Sequence, residues 1–371
     1  MSELRLRLVN EGKLMKKRHN LLVINVGSTS TKVGWFSGGD HTVQETIRYS
    51  SEALASYKSV GEQLRLREDD ILKFLARNDI SFEEIDMIVS RGGLGKPAPA
   101  GAYRIDEDMC RDLLEGKYGI HPSALGPAMA LDISKKYGMP AIVIDPPSTD
   151  EFQPLARISG LPEIERKSAL HALNQKNAAR RLAREIGKRY EELNLVVAHL
   201  GGGITIGAHQ KGRVIDCTHG LGEGPFTPER AGSLPTIDLL NLAFSGKLDR
   251  KELQGRLVGQ GGLLAYLATT DGQKIRDMIN AGDERAKLIY EAMSYQIAKD
   301  IGAMCVVLKG EIDGIILTGG LAHSDMLVDW IRERVRFLAP VFVYPGEDEM
   351  SALAEGGLRV LLEEEELKSY L

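Results

Sequence analysis

A chain of 371 residues is too long for one ordinary core, so two domains are expected. With 43% hydrophobic and 27% charged residues it reads as soluble and globular, and a net charge of −5 argues against a nucleic-acid surface or dependence on an anionic membrane. No apolar run approaches the roughly 20 residues of a membrane span. The three cysteines, Cys110, Cys217 and Cys305, form no CxxC pair and no metal spacing, which fits buried thiols in a reducing compartment.

The first twenty residues are basic and polar (Arg5, Arg7, Lys13, Lys16, Lys17, Arg18) and lack the apolar stretch of a signal peptide. Met15 stands just ahead of the first strand, so we read 1–20 as a start-site extension without function and the protein as cytoplasmic. Leu21 to Phe36 (LLVINVGSTSTKVGWF) carries the strongest signal. An apolar run ends in Asn25-Val26-Gly27, hydroxyl residues and a lysine follow (Ser28, Ser30, Thr31, Lys32), and a second apolar run begins. Such a break suits a β-hairpin, and a turn rich in N–H and O–H donors suits a phosphate. It lacks the GxxxxGK[ST] of a P-loop. It resembles the first phosphate loop of the actin, sugar-kinase and chaperone-ATPase superfamily; an ordinary polar-tipped hairpin is the plain alternative.

Further along, short strands alternate with helical stretches, which predicts an α/β architecture. Strands are expected at 21–26, 85–90, 141–145, 195–200, 313–318 and 341–345, and helices at Glu62–Arg77, Lys176–Leu193 and Glu284–Leu308. The last shows Ala286, Ile289, Ala292, Met293, Ile297 and Ile301 at near-helical spacing. LVVAHLGGGITIGAHQKGRVIDC (195–217) repeats the strand, glycine turn, strand grammar of 21–36. Two halves opening alike suggest duplicated domains facing one cleft: 21–148, joined by a C-terminal helix over 355–371, and 149–354 with the nucleotide site.

Candidate chemistry lies at strand ends and helix starts. Arg91 precedes Gly92, Gly93 and Gly95, where backbone can approach a ligand and a guanidinium can fork a carboxylate or phosphate. It could equally be a surface arginine before a loop. Asp145 ends a strand before two prolines, a common ligand position in open α/β sheets, or a simple turn aspartate. His171, Asn174 and Gln175 fall where a helix begins, a place that favours phosphate, although a lone histidine is more often a structural one. His199 ends a strand and Gly201, Gly202 and Gly203 follow, so that three amides could crowd an anion. Glu229 and Arg230 stand on a proline-fixed turn, and Gly319 and Gly320 form a turn suited to a nucleotide. Glu347 and Glu349 precede a helix, where capping is the ordinary reading.

NVGSTSTK, RGGLGKPAPAG, DEFQPLARISGLPEIERKSALHALNQK, HLGGGI, GEGPFTPERAG and YPGEDEMSALAEGG, taken in that order, resemble the acetate and butyrate kinase (acetokinase) family, most closely its butyrate kinase branch. The match runs from about residue 20 to 361. The resemblance implies two duplicated α/β domains of the actin, sugar-kinase and chaperone-ATPase superfamily with an interdomain active-site cleft. It implies ATP and Mg²⁺ as cofactors, a short-chain carboxylate as acceptor, butyryl phosphate and ADP as products, and at least a dimer. Apolar segments such as 261–270 could serve that dimer or the core. By motif position Asn25, Ser28, Ser30 and Lys32 would lie at the first phosphate loop, and His199 with Gly201–Gly203 at the second. Asp145 would position the carboxylate or Mg²⁺, and His171 would touch the transferring phosphoryl group. Arg230 and Arg91 would be active-site arginines, with Arg91, Gly92, Gly93 and His121 around the substrate. Glu349, or else Glu347, would be linked to magnesium. Gln175 stands where acetate kinases carry a second histidine. A branched-chain fatty acid kinase is the close alternative; an ATP sensor or chaperone-like ATPase on the same fold is the distant one, and Asn25 in place of aspartate weighs against it.

Overall fold

The computed structural model describes residues 18–38 and 40–370. Most of the extension read at 1–20 therefore lies outside the described residues. Twelve strands form two sheets among them. In chain order they are β1 (Asn20–Val26), β2 (Ser30–Ser37), β3 (Asp40–Arg48), β4 (Met87–Ser90), β5 (Ala102–Arg104), β6 (Ala141–Ile144), β7 (Asn194–Leu200), β8 (Ile204–Gln210), β9 (Arg213–Cys217), β10 (Gly314–Gly319), β11 (Val341–Pro345) and β12 (Leu367–Lys368). The chain divides into two compact units. The first comprises the described parts of Met1–Lys96, Gly101–Pro146 and Glu349–Leu371; the second comprises Pro97–Ala100 and Pro147–Asp348.

The first unit carries a sheet in the order β12-β5-β6-β4-β1-β2-β3. β1, β2 and β3 form an antiparallel meander, while β4 and β6 continue parallel from β1. Leu21 to Ile24 are fully buried, the signature of a strand covered on both faces. Gly357 of the helix Glu349–Leu361 abuts Leu21 and Val89, whereas Gly126 of the helix Leu125–Tyr137 abuts Val26 and Ser90. Side chains alternate along a strand, so these two helices cover opposite faces.

The second unit repeats the plan in the order β11-β10-β7-β8-β9. Again a hairpin (β7–β8) opens the sheet and two parallel strands (β10, β11) follow. One core gathers Val196, Ala198 and Leu200 with the helix Glu284–Val307, and the other gathers Leu195 and Val197 with the helix Ala172–Glu185. The long helix is capped by the Asp283 carboxylate, which accepts from the Ala286 amide. Its buried stripe of Ala286, Tyr290, Met293, Ile297, Ile301 and Met304 follows the helical period. Burial of each large apolar side chain there contributes about 1.5–3 kcal/mol. Within this unit Glu151 accepts from the Ala100 and Val214 amides and pairs with Lys176 at 2.9 Å, which explains why the short segment Pro97–Ala100 belongs here.

All six expected strands are present to within two residues. The helix ends need correction. The stretch expected from Glu62 begins as a 3₁₀ turn, Gly61–Gln63, and becomes α-helical at Leu64. The helix expected over 176–193 runs instead from Ala172 to Glu185, because Gly187 turns the chain at φ 69°. The terminal helix expected over 355–371 starts at Glu349 and stops at Leu361, before the short β12.

Candidate functional site

In the first unit three parallel strands, β1, β4 and β6, deliver Asn25, Arg91 and Asp145 to their carboxyl ends. Asn25 belongs to the strand rather than to the turn, opposite Lys32 in register. It is buried and donates through Nδ2 to Glu349 Oε2 at 2.7 Å. Arg91 Nη1 approaches the same oxygen at 3.5 Å. The turn that holds Ser28 is tied down from beneath by a residue the sequence reading missed. Arg67, fully buried, donates to the carbonyls of Gly27 and Ser30 at 3.0 and 3.1 Å and to that of Ser28 at 3.0 Å. Gln63 and the Tyr49 ring complete its surroundings. The turn's carbonyls thus face inward, while Ser28 and Thr29 are exposed. Arginine four residues after a glutamine was the only sequence hint.

Asp145 is buried in a left-handed backbone conformation (φ 40°), which aspartate tolerates better than most residues but which still stores strain. Its Oδ1 accepts from the Gly101 amide at 2.9 Å, and its own amide donates to the Gly101 carbonyl. His121 Nδ1 accepts from the Ser123 amide, and burial with the Arg91 charge lowers its pKa, so it is neutral at pH 7. Gly92 and Gly93 are packed closely within the unit. Both are buried, and the close approach they allow is to the protein itself: a Cβ at Gly92 would lie 2.7 Å from Pro146 and one at Gly93 2.9 Å from Leu113.

In the second unit the β7–β8 turn uses its glycines differently. A Cβ on Gly203 would fall on the Arg230 guanidinium, 2.8 Å from Cζ, and one on Gly201 would lie 2.8 Å from His199 Nε2. Gly202 is exposed in open space. The Gly201 amide is taken by the Gly203 carbonyl at 3.1 Å, so the three glycines do not present three free amides. Arg230 is set by Thr227, whose hydroxyl accepts from the Arg230 amide and donates to the Gly202 carbonyl. The guanidinium donates to the Gly220 carbonyl at 2.5 Å and makes no ion pair among the described residues. Burial lowers its pKa, partly offset by Glu229 beyond ion-pair range.

His199, buried at the end of β7, has Nδ1 2.7 Å from Asn174 Oδ1 and Nε2 3.1 Å from Glu347 Oε1. Its ring stacks on His171 with centroids 3.8 Å apart. His171 stands just ahead of the helix Ala172–Glu185, with Nδ1 2.9 Å from Thr205 Oγ1. Behind it the polar interior continues through Gln175, His209 and Tyr190, none of which except Gln175 the sequence singled out. Burial and the charges of Lys176 and Arg180 hold the His209 imidazole well below its ordinary pKa.

Glu347 and Glu349 part company: the first faces His199 in the second unit, the second faces Asn25 and Arg91 in the first. Gly319 (φ 91°) lets β10 run tight against β7, since a Cβ would strike the Leu200 backbone, while Gly320 is exposed and open. Magnesium takes oxygen ligands and commonly uses one or two carboxylates beside water and substrate phosphates. Asp145 and Glu349 fit that donor chemistry. No group of three or more His, Cys, Asp or Glu residues converges on a metal position among the described residues, and no described helix is long and apolar enough to cross a membrane.

Three solved structures are similar over most of the chain. Acetate kinase from Porphyromonas gingivalis is 18% identical, with a TM-score of 0.75 and coverage of 92% of this chain and 100% of that one. Acetate kinase from Entamoeba histolytica is 19% identical, with a TM-score of 0.72 and coverage of 91% and 98%. Propionate kinase from Francisella tularensis subsp. tularensis SCHU S4 is 18% identical, with a TM-score of 0.68 and the same coverage. Such identities speak to fold alone, a two-sheet α/β fold that the chain shares with these structures. The acetokinase family matches residues 163–341, a span that includes β7–β9, the glycine turn, Arg230 and the long helix.

Proposed function

We propose that the chain is a carboxylate kinase that passes the terminal phosphoryl group of ATP to a short-chain carboxylate, with butyrate as the preferred acceptor. The observation that carries this reading is Arg230, a half-buried guanidinium held against Gly203 without a carboxylate partner among the described residues. A cation kept unneutralised at a cost in desolvation is suited to a negative charge that arrives with the substrate. The acetokinase match over its surroundings supports the carboxylate as acceptor. The preference for butyrate rests on DEFQPLARISGLPEI and GPFTPER.

A carboxylate carries no proton at pH 7 and needs no general base. The barrier is repulsion between two anions, so catalysis rests on positioning and charge neutralisation. Arg230 would stabilise the phosphoryl group in transfer, a role worth about 10³–10⁵ in rate for an arginine so placed. His171 would donate a hydrogen bond to the same group. Arg91, steadied by Glu349, and Asp145, fixed by Gly101, would orient the carboxylate. Asp145 and Glu349 would hold magnesium, which when bound supplies neutralisation of the nucleotide phosphates. The test is trapping of acyl phosphate with hydroxylamine after incubation with ATP, Mg²⁺ and straight or branched C2–C5 acids. Butyrate should give the highest initial rate. A faster branched acid would move the assignment to a branched-chain kinase, and no product with any acid would end it.

A further inference from the structure

We infer that Tyr190, His209, Gln175 and Thr205 form a one-way hydrogen-bond relay that fixes His171 as the neutral tautomer with its proton on Nε2. The direction of every bond follows from one anchor. Gln175 Nε2 donates to the backbone carbonyl of Thr205 at 3.0 Å, and a carbonyl can only accept, so the amide orientation is set. The same Nε2 donates to Thr205 Oγ1 at 2.9 Å, and the His171 amide approaches that oxygen at 3.4 Å. With its lone pairs so used, the Thr205 hydroxyl has its proton left to give to His171 Nδ1, 2.9 Å away. Nδ1 therefore accepts, and the ring proton sits on Nε2.

The other end agrees. Gln175 Oε1 must accept, so His209 Nε2 donates to it at 3.0 Å. His209 Nδ1 is then an acceptor and receives the Tyr190 hydroxyl at 2.7 Å. Both rings are deep in the second unit, and Lys176 and Arg180 nearby disfavour a charged His209. An imidazolium at position 171 would point an N–H at a hydroxyl that has no acceptor capacity to spare. The relay thus supplies a neutral donor aimed by Nε2, and Thr205, Gln175, His209 and Tyr190 are positioning residues. The catalytic consequence rests on the proposed role of His171 at the phosphoryl group; the tautomer itself does not.

The experiment uses the full chain labelled with nitrogen-15 histidine, with the resonances of His171 and His209 assigned by comparison with His171→Gln and His209→Gln. Two-bond nitrogen–proton correlation spectra at pH 7 should show both rings neutral with Nε2 protonated. Thr205→Val removes the hydroxyl at nearly constant volume. It should populate the Nδ1-protonated form of His171 and lower kcat about tenfold at unchanged KM for ATP, the size of one lost hydrogen bond; Thr205→Ser should restore both. Wild-type spectra with Nδ1 protonated on either histidine overturn the relay, whether or not Thr205→Val folds. An unchanged His171 tautomer in folded Thr205→Val overturns it as well. Correct spectra from a protein without acyl phosphate formation would leave the relay standing and remove only the proposed reaction.

Discussion

The β1–β2 and β7–β8 hairpins open topologically matching sheets, yet their turns are supported in opposite ways. The first is braced by a side chain: buried Arg67 reaches up and collects the carbonyls of Gly27, Ser28 and Ser30. The second is carved out by missing side chains: Gly203 and Gly201 leave room for Arg230 and His199 to lie against the backbone. One strategy fixes the loop with a permanent charge placed below it. The other sets Arg230 and His199 against the turn backbone and has Gln175, His209 and Tyr190 hydrogen-bonded to one another behind it. A shared strand grammar therefore says where a loop will be, and little about what holds it.

That contrast can be broken experimentally. Arg230→Ala should have the largest effect, a fall in kcat of at least about 10³ with an unchanged circular dichroism spectrum; near-normal turnover would remove Arg230 from the proposed reaction. Arg67→Met should act on stability instead. It strands several buried acceptors, each costing about 1–3 kcal/mol, and we expect a net loss of about 3 kcal/mol in urea titrations. If the variant kept full stability, the brace beneath the first turn would be unnecessary. Gly203→Ala, which pushes the Arg230 guanidinium aside, should lower kcat about 10²-fold, since a misplacement of about 1 Å can cost that much. Gly202→Ala, in open space, should leave rates within twofold, and equal effects of the two would erase the distinction between packed and open glycines.

The smallest effect concerns pH. Native His209 is held neutral, whereas in the unfolded chain a histidine takes a proton near pH 6.5. Below about that pH the unfolded state binds the additional proton, so this contribution to stability is complete above it and is lost as pH falls. The limiting slope is about 1.4 kcal/mol per pH unit for one proton. His209→Gln should flatten the decline in urea midpoint between pH 6.5 and 5, whereas Arg67→Met should leave its slope unchanged. Identical slopes in wild type and His209→Gln would show that the buried imidazole does not stay neutral.

Legibility varied with the range of the interactions. Strands were readable because continuous runs such as LVVAHL can only be buried on both faces. The helix Glu284–Val307 was readable from its stripe and from Asp283 ahead of it. The start at Ala172 was only bracketed, between the helix start read at His171 and the helix expected from Lys176, because His171 offers no side-chain cap to mark the boundary. Arg91, Asp145, His199 and Arg230 stood out because each adjoins a turn or a strand end. Arg67, Thr205, His209 and Tyr190 did not, because apart from Gln63, four residues before Arg67, the side-chain hydrogen-bond partners named for them lie 19 or more residues away.

From the order of residues alone followed the α/β class, the repeated hairpin and the chemical inventory of two arginines, an aspartate and paired histidines, since these depend on periodicity, turn chemistry and residue type. The tertiary structure alone decided the partners. It gave Glu349 to Asn25 and Arg91 and Glu347 to His199, filled the space at Gly92 and Gly93 with protein atoms, and set the direction of each bond behind His171. Hydrogen bonds and close packing depend on distances between segments remote in the chain, and those distances exist only once the sheets have formed.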